Sequence, residues 1–414
     1  MRILHVIPSV AEVRGGPSRA ALEMVAALRN GAIDAEIIAT NDNGPDLLQV
    51  PPAKRILYQG VPVTFFPRFS PAFGPVREYA LSQQLTMWLW QHMGDYDIVH
   101  VHALFSYAST VAMLLARYKR VPYLTTPHGL LCEWSLQQQA RKKQAYWKLL
   151  DRANLNAAQA IHFTDVKEAE EAAALRLAPP GFVLPLGLEM PQPLSDARAR
   201  LRQYLKLPPD EPVILFMSRI HPKKGLDYLI PALGKLAEER FTFVLAGSGP
   251  DDYVQHIQQL ITTAGLGSRI RYPGFVRDEL KALLLQGADL FVLTSHSENF
   301  GIVILEAMAA GIPVLVTPGV PLAPTVAAGG FGYVCQLDQR EIAASIWQCL
   351  QHRAEGQEMG ERARRYVLDH FAWDRIATEL ADVYEAILKH EALPRLQAGA
   401  LSVDRTMISH HSSP

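Results

Sequence analysis

The chain has 414 residues, enough for two domains, with 49 % apolar and 20 % charged side chains, the balance of an ordinary globular protein. Its formal net charge of −1 provides no overall field for nucleic acid, and Cys132, Cys335 and Cys349 form neither a CxxC pair nor a metal-ligand spacing, which points to a reducing, cytoplasmic setting. No uncharged apolar run is long enough to span a bilayer; 301–316 comes closest and is interrupted by Glu306 and Pro313, so at most a peripheral contact with the inner membrane surface is expected.

In chain order, 2–7 reads as a first buried strand. The loop 8–16 ends in Gly15-Gly16, and 18–28 has helical spacing with Pro17 suited to the first turn. Strand, glycine loop and helix can cradle an anion or polar ligand, or can simply turn tightly; the glycine pair alone does not choose. Strands at 34–39, 61–66, 97–102 and 123–126 alternate with helices at 77–93 and 109–117, the pattern of a doubly wound parallel sheet. Asp95-Tyr-Asp97 has a DxD spelling, but it reads better as a turn feeding the next strand. His100 and His102 share one strand face, and His102 ends the strand. A cleft-facing residue and a satisfied core histidine both fit it. His128, followed by Gly129 at the end of the next strand, is the better candidate to donate to a substrate oxygen or stabilise charge.

Segment 133–153 reads as a helix carrying Arg141, Lys142, Lys143, Lys148 and Arg152 among Trp134, Tyr146 and Trp147. It can bind anionic lipid or a phosphorylated acceptor, although a solvated face with aromatics in the core is the favoured reading. A strand at 157–164 and a helix at 166–174 follow. Residues 182–193, with Pro185, Gly187, Pro191 and Pro193, read as a linker.

The pattern then restarts. Helices at 196–204, 226–239 and 278–286 alternate with strands at 212–216, 241–246, 269–272, 289–294 and 313–317, before a glycine-rich 327–332. Gly247-Ser-Gly249 invites a dinucleotide reading, but Asp252 stands where the fingerprint requires glycine, which argues against a nicotinamide enzyme. Arg219 and Lys224 lie in one loop after a strand, with Gly225 allowing a tight turn. Two fixed cations there can hold a diphosphate and neutralise it as it leaves. In 295–311, Glu298 sits in a turn and Glu306 on the following helix, which Gly311 can close. The amides of Asn299, Phe300 and Gly301 lie at the helix start, beyond a strand end, where parallel sheets place ligands.

These motifs (Ser218-Arg219 to Lys224-Gly225, 246–250, Pro273-Gly-Phe275, and Glu298 with Glu306 in an E-x7-E spelling) resemble the retaining GT-B glycosyltransferases of family 4 over about residues 1–390. In the first half Gly15-Gly16, His100-Val-His102 and His128-Gly129 fit more loosely. The resemblance implies an α/β fold of two Rossmann-like doubly wound parallel-sheet domains facing across a cleft. An acceptor domain at 1–187, completed by helix 373–390, would face a nucleotide-sugar domain at 188–372; separately, the tail 391–414 is expected to be disordered because it lacks apolar periodicity. By the same resemblance Arg219 and Lys224 would bind the donor diphosphate, which Gly15 and Gly16 would approach. Glu306 would bind the ribose. Glu298, Asn299, Phe300, Gly301 and His128 would meet the transferred sugar, and the backbone of Phe275 and Val276 the base. No metal and no cofactor is expected. The family's Pro-Glu dipeptide is missing from 320–332, where this chain has Gly319-Val-Pro-Leu-Ala-Pro324.

The expected activity is transfer of a hexosyl group, with retention, from a nucleotide diphosphate sugar to a hydroxyl of a glycan or lipid-linked acceptor. A GT-B sugar-nucleotide 2-epimerase and a non-catalytic nucleotide- or glycan-binding subunit are the alternatives.

Overall fold

Ile3, Leu4 and Val6 are wholly buried, as expected of a strand covered on both faces, and they begin the first of two sheets. The computed structural model describes residues 1–71, 79–132, 135–136, 146–298 and 300–394. By contacts the chain divides into one unit of Met1–Glu189 with the chain from Phe371 onward, and a second unit of Met190–His370.

The strands of the first unit are β1 (Arg2–Val6), β2 (Asp34–Thr40), β3 (Asp42–Asn43), β4 (Asp46–Leu47), β5 (Arg55–Tyr58), β6 (Val61–Phe66), β7 (Ile98–His102), β8 (Tyr123–Thr126), β9 (Ala160–Phe163) and β10 (Gly181–Val183). Eight form one sheet in the order β10-β9-β8-β7-β1-β2-β6-β5, while β3 and β4 pair as a small hairpin. All neighbours in the large sheet are parallel except β5, which runs antiparallel to β6 at the edge. Strand order reverses between β1 and β7, the switch point where an open α/β sheet leaves a crevice.

Three differences from the sequence reading stand out in this unit. The expected linker begins two residues too early, because Phe182 and Val183 belong to β10, paired with His162 and Phe163. Of the helix expected over 77–93, residues 77 and 78 lie outside the described residues, 79–82 are not helical, and the helix Gln83–His92 begins where Ser82 is extended and its side chain caps the Leu85 amide. Of the expected helix 133–153, Trp147–Asp151 forms a π-helical turn and Arg152–Leu155 an α-helical one. Trp134, Arg141, Lys142, Lys143 and the Lys148 side chain lie outside the described residues. Asp97 accepts from the Arg2 amide at 2.7 Å, so Asp95-Tyr-Asp97 anchors the start of β7 to β1.

The helix Trp373–Lys389 packs on the first unit with Ile376, Leu380, Val383 and Tyr384 buried on one stripe. It is pinned where Trp373 donates to Glu23 at 2.8 Å and covers Gly187, where a Cβ would lie 2.3 Å from the indole.

The second unit carries β11 (Val213–Met217), β12 (Thr242–Ala246), β13 (Ile270–Gly274), β14 (Leu290–Leu293), β15 (Val314–Val316) and β16 (Gly332–Val334). They form an all-parallel sheet in the order β13-β12-β11-β14-β15-β16. Its order reverses between β11 and β14, so the loops leaving those two strands flank the crevice. The helix expected over 226–239 stops at Gly234, with Pro231 inside it. Gly234 approaches Ala264, where a Cβ would lie 3.0 Å from the Ala264 side chain. Segment 320–332, where the Pro-Glu dipeptide is missing, contains a short helix, Ala323–Gly329, with Pro324 in its first turn.

Candidate functional site

The C-terminal edge of the second sheet is assembled by close backbone contact. After β11 the chain passes Arg219 and turns at Gly225, whose φ of +66° suits glycine and whose Cβ would lie 2.0 Å from the Thr294 carbonyl. Thr294 Oγ1 donates to the Gly225 carbonyl at 3.2 Å, and the His296 amide donates to the Lys223 carbonyl at 2.9 Å. The β11 and β14 loops therefore run side by side.

This juxtaposition brings together two of the predicted residues. Lys224, nearly buried, donates from Nζ to Glu298 Oε1 at 2.5 Å, and Ser295 Oγ donates to the same oxygen at 2.6 Å. The Glu298 amide donates to the Gly319 carbonyl at 2.9 Å, and Thr317 Oγ1 to the Ser295 carbonyl at 2.6 Å. Lys224 and Glu298 are thus held at the switch point by Ser295, Thr317 and Gly319, three residues that apolar periodicity does not mark. Arg219 stays exposed. The loop is locally electropositive: His221 is held below the usual imidazole range, first by burial and then by Arg219, Lys224 and Lys223.

The helix expected after Glu298 begins at Ile302, with Gly301 at φ +82° as its N-cap and no side chain capping it. Phe300 is buried, and Asn299 lies outside the described residues. Glu306, one turn into the helix, is buried and accepts from Lys281 at 2.6 Å. Lys281 was not anticipated, because it sits on a different helix, 25 residues earlier. Gly311 follows the helix at φ +81°. After β13, Phe275 is exposed and Val276 buried.

The first unit builds its sheet edge differently. Gly15 adopts φ +84° with nothing near its missing Cβ, so backbone conformation rather than crowding demands glycine there. Gly16 opens the helix Gly16–Asn30, which no side chain caps. The preceding loop is clamped to Asp42, which accepts from Arg14 Nε at 2.6 Å and Nη2 at 2.9 Å and is also paired with buried Arg68.

His128 lies in the turn two residues after β8, but it is buried, and it is left-handed at φ +53°, a strain that a non-glycine residue sustains only when its surroundings hold it. Glu168 supplies part of that hold: it accepts from the Gly129 amide at 2.5 Å and from the Thr164 amide at 2.8 Å. Burial pushes the Glu168 carboxyl up, while those donors pull it down. The Nε2 of His128 lies 3.1 Å from His102 Nδ1. His5, His100, His102 and His162 are fully buried beside it, so the core-histidine reading of His100 and His102 is the one the structure adopts. Burial pushes the imidazoles down, His5 and His128 to about 3 and His162 to about 4, with His100 and His102 also well below 6.5. No helix among the described residues is long and apolar enough to cross a membrane.

Residues 197–366 match the family described as glycosyl transferases group 1, and residues 15–187 match the glycosyl transferase 4-like domain. The chain is 29 % identical over 417 residues to a D-inositol 3-phosphate glycosyltransferase of Xylanimonas cellulosilytica, covering 91 % of this chain and 92 % of that protein. It is 31 % identical over 196 residues to an uncharacterized glycosyltransferase of Methanocaldococcus jannaschii, spanning 47 % of this chain and 50 % of that one. Among solved structures, Anabaena HepE in complex with UDP and glucose is similar with a TM-score of 0.75 at 22 % identity, over 93 % of this chain and 100 % of HepE. Sucrose-phosphate synthase from Thermosynechococcus elongatus is similar with a TM-score of 0.76 at 21 % identity, over 94 % of this chain and 100 % of that chain. At these identities the structural likeness establishes the fold, two parallel-sheet α/β units of the GT-B type.

Proposed function

We propose that this chain, which belongs to the group 1 glycosyltransferase family, transfers a hexosyl group from a nucleotide diphosphate sugar to a hydroxyl of a glycan or lipid-linked acceptor, with retention at the anomeric carbon. The observation that carries this reading is the Lys224–Glu298 pair at the switch point of the second sheet, with Arg219 exposed on the same loop. A parallel sheet binds ligands there, and this crevice offers cations for a diphosphate and a carboxylate for sugar hydroxyls. HepE's complex with UDP and glucose supports a nucleotide-sugar donor.

In this reading donor binding rearranges the pair. Lys224 turns from Glu298 to the diphosphate, Arg219 joins it, and Glu298 is released to accept from hydroxyls of the sugar together with the backbone from Asn299 to Gly301. Glu306 accepts from the ribose, and the backbone at Phe275 and Val276 meets the base. Gly15 and Gly16 approach the phosphates, and His128 meets the sugar. The bond from the anomeric carbon to the phosphate oxygen breaks, and the acceptor oxygen forms its new bond on the same face through an oxocarbenium-like state. The acceptor's proton passes to the departing phosphate oxygen, leaving glycosylated acceptor and nucleoside diphosphate. Arg219 and Lys224 stabilise the charge that develops on the leaving group, so no metal is required.

Thermal-shift screening of UDP-, GDP- and ADP-sugars tests the donor assignment: one donor class raises Tm by mass action. No shift with any sugar nucleotide, with turnover intact in Lys224→Ala, would remove the assignment. Equal turnover with and without chelator is expected, and abolition by chelator would sink the metal-free mechanism. The proposed setting is the cytoplasm, and cosedimentation with anionic vesicles tests whether the chain also makes a peripheral contact with the inner membrane surface.

A further inference from the structure

We infer that a buried chain of hydrogen bonds from the Leu184 carbonyl locks His128 in a single neutral tautomer, with the proton on Nε2 and the lone pair on Nδ1. His128 then meets the donor as a hydrogen-bond acceptor rather than as an acid; that consequence rests on the proposed contact between His128 and the sugar.

The roles follow link by link. A carbonyl only accepts, so His162 Nε2, 2.7 Å from Leu184 O, carries the proton and its Nδ1 carries the lone pair. Thr126 Oγ1, 2.9 Å from that Nδ1, must donate its one proton there. It can then only accept from His100 Nε2, at 2.6 Å. His100 Nδ1 is left with a lone pair, which receives the Tyr384 hydroxyl at 2.7 Å. The Tyr384 oxygen in turn accepts from His5 Nε2 at 3.5 Å, the longest link. His5 Nδ1 receives His102 Nε2–H at 2.9 Å, and His102 Nδ1 receives His128 Nε2–H at 3.1 Å. One carbonyl thereby orients five imidazoles, provided each holds a single proton. Their burial, complete for all but His128, and their close stacking, with His100 and His102 rings 4.4 Å apart, disfavour any second proton.

The chain is a lock and not a relay. A proton entering at His128 Nδ1 would have to leave through the Leu184 carbonyl, which cannot take it. Tyr384 places the C-terminal helix within the lock, so that helix acts on His128 through hydrogen bonds as well as packing. His5, His100 and His102 also offer nitrogens within 4.8 Å of one another, as a metal site would. A metal needs the lone pairs that these hydrogen bonds already use, so the two occupancies exclude each other.

The test is ¹⁵N-histidine NMR on the full chain at neutral pH, with rings assigned from single substitutions. All five rings should show protonated Nε2 and unprotonated Nδ1. A protonated Nδ1 on His128, or stoichiometric zinc that displaces the His5, His100 and His102 signals, overturns the lock. Thr126→Val cuts the chain between His100 and His162, whereas Thr126→Ser retains the hydroxyl. The valine variant should let His128 populate the Nδ1–H form and raise donor KM by about tenfold with less change in kcat, and serine should restore both. If His128 keeps its tautomer in the folded valine variant, the lock is refuted. If the tautomer shifts but donor KM does not, the lock stands and His128 leaves the proposed donor site. Should the valine variant not fold, the wild-type spectrum alone decides.

Discussion

The two sheet edges hold their candidate residues by opposite means. In the second unit charge meets charge: Lys224 with Glu298, and Lys281 with Glu306. In the first unit the equivalent edge is a run of neutral imidazoles joined by hydrogen bonds. Ion pairs at a crevice are exchangeable, because an incoming diphosphate or hydroxyl can take one partner and free the other. A neutral network holds no charge to exchange, and it fixes geometry and proton position instead.

Acid should break the comparison most strongly, and at the histidine end. Below the ordinary imidazole pKa of about 6.5 the unfolded chain takes up protons that the folded chain refuses, so stability falls as pH drops from there toward the folded values near 3 to 4. Each histidine that must charge on unfolding steepens the loss by about 1.4 kcal/mol per pH unit. Asp151 and Asp165, raised to about 6 and about 7 by burial, act in the opposite sense, as does Glu168, whose pKa is also raised. Five histidines outnumber these three carboxyls, so Tm should fall steeply between pH 6 and 4. A Tm flat across that interval would show that the network accepts protons when folded.

At the charged end, Lys224→Ala should lower kcat by about 100- to 1,000-fold, the usual cost of removing a group that stabilises developing charge. Steady-state kinetics with circular dichroism on the same sample separates this from unfolding. Gly225→Ala tests whether the two loops must run side by side. Its Cβ would lie 2.0 Å from the Thr294 carbonyl in a left-handed backbone, so a loss of about 2–3 kcal/mol is expected. Calorimetry should register that as a drop in Tm of roughly 5–10 °C. The smallest expected effect sharpens the contrast. Glu306→Gln keeps the shape but weakens acceptance from ribose hydroxyls, and should raise donor KM by about tenfold with little change in kcat.

Much of the fold was legible before any coordinates. Buried parallel strands are apolar runs, and β11, β12 and β14 were each marked by one, while β1 and β7 showed through apolar residues interrupted by histidines. The candidate cations and carboxylates of the second unit were also legible, because polar residues stand out at the ends of such runs. The sequence misplaced boundaries where a single side chain decides them, as Ser82 does by capping its helix. It could not reveal partners. Lys224 and Glu298 are 74 residues apart, Lys281 and Glu306 are 25 apart and on different helices, and Tyr384 reaches His100 across 284 residues. Apolar periodicity reports only whether a side chain is covered. Which group covers it depends on strand order, which places β14 beside β11 and β7 beside β1 despite their separation along the chain. The sequence by itself therefore determined two doubly wound halves and which residues carry charge at their edges. Only the tertiary structure decided that one edge is held by exchangeable ion pairs and the other by neutral imidazoles, because sheet topology brings distant side chains within hydrogen-bond reach.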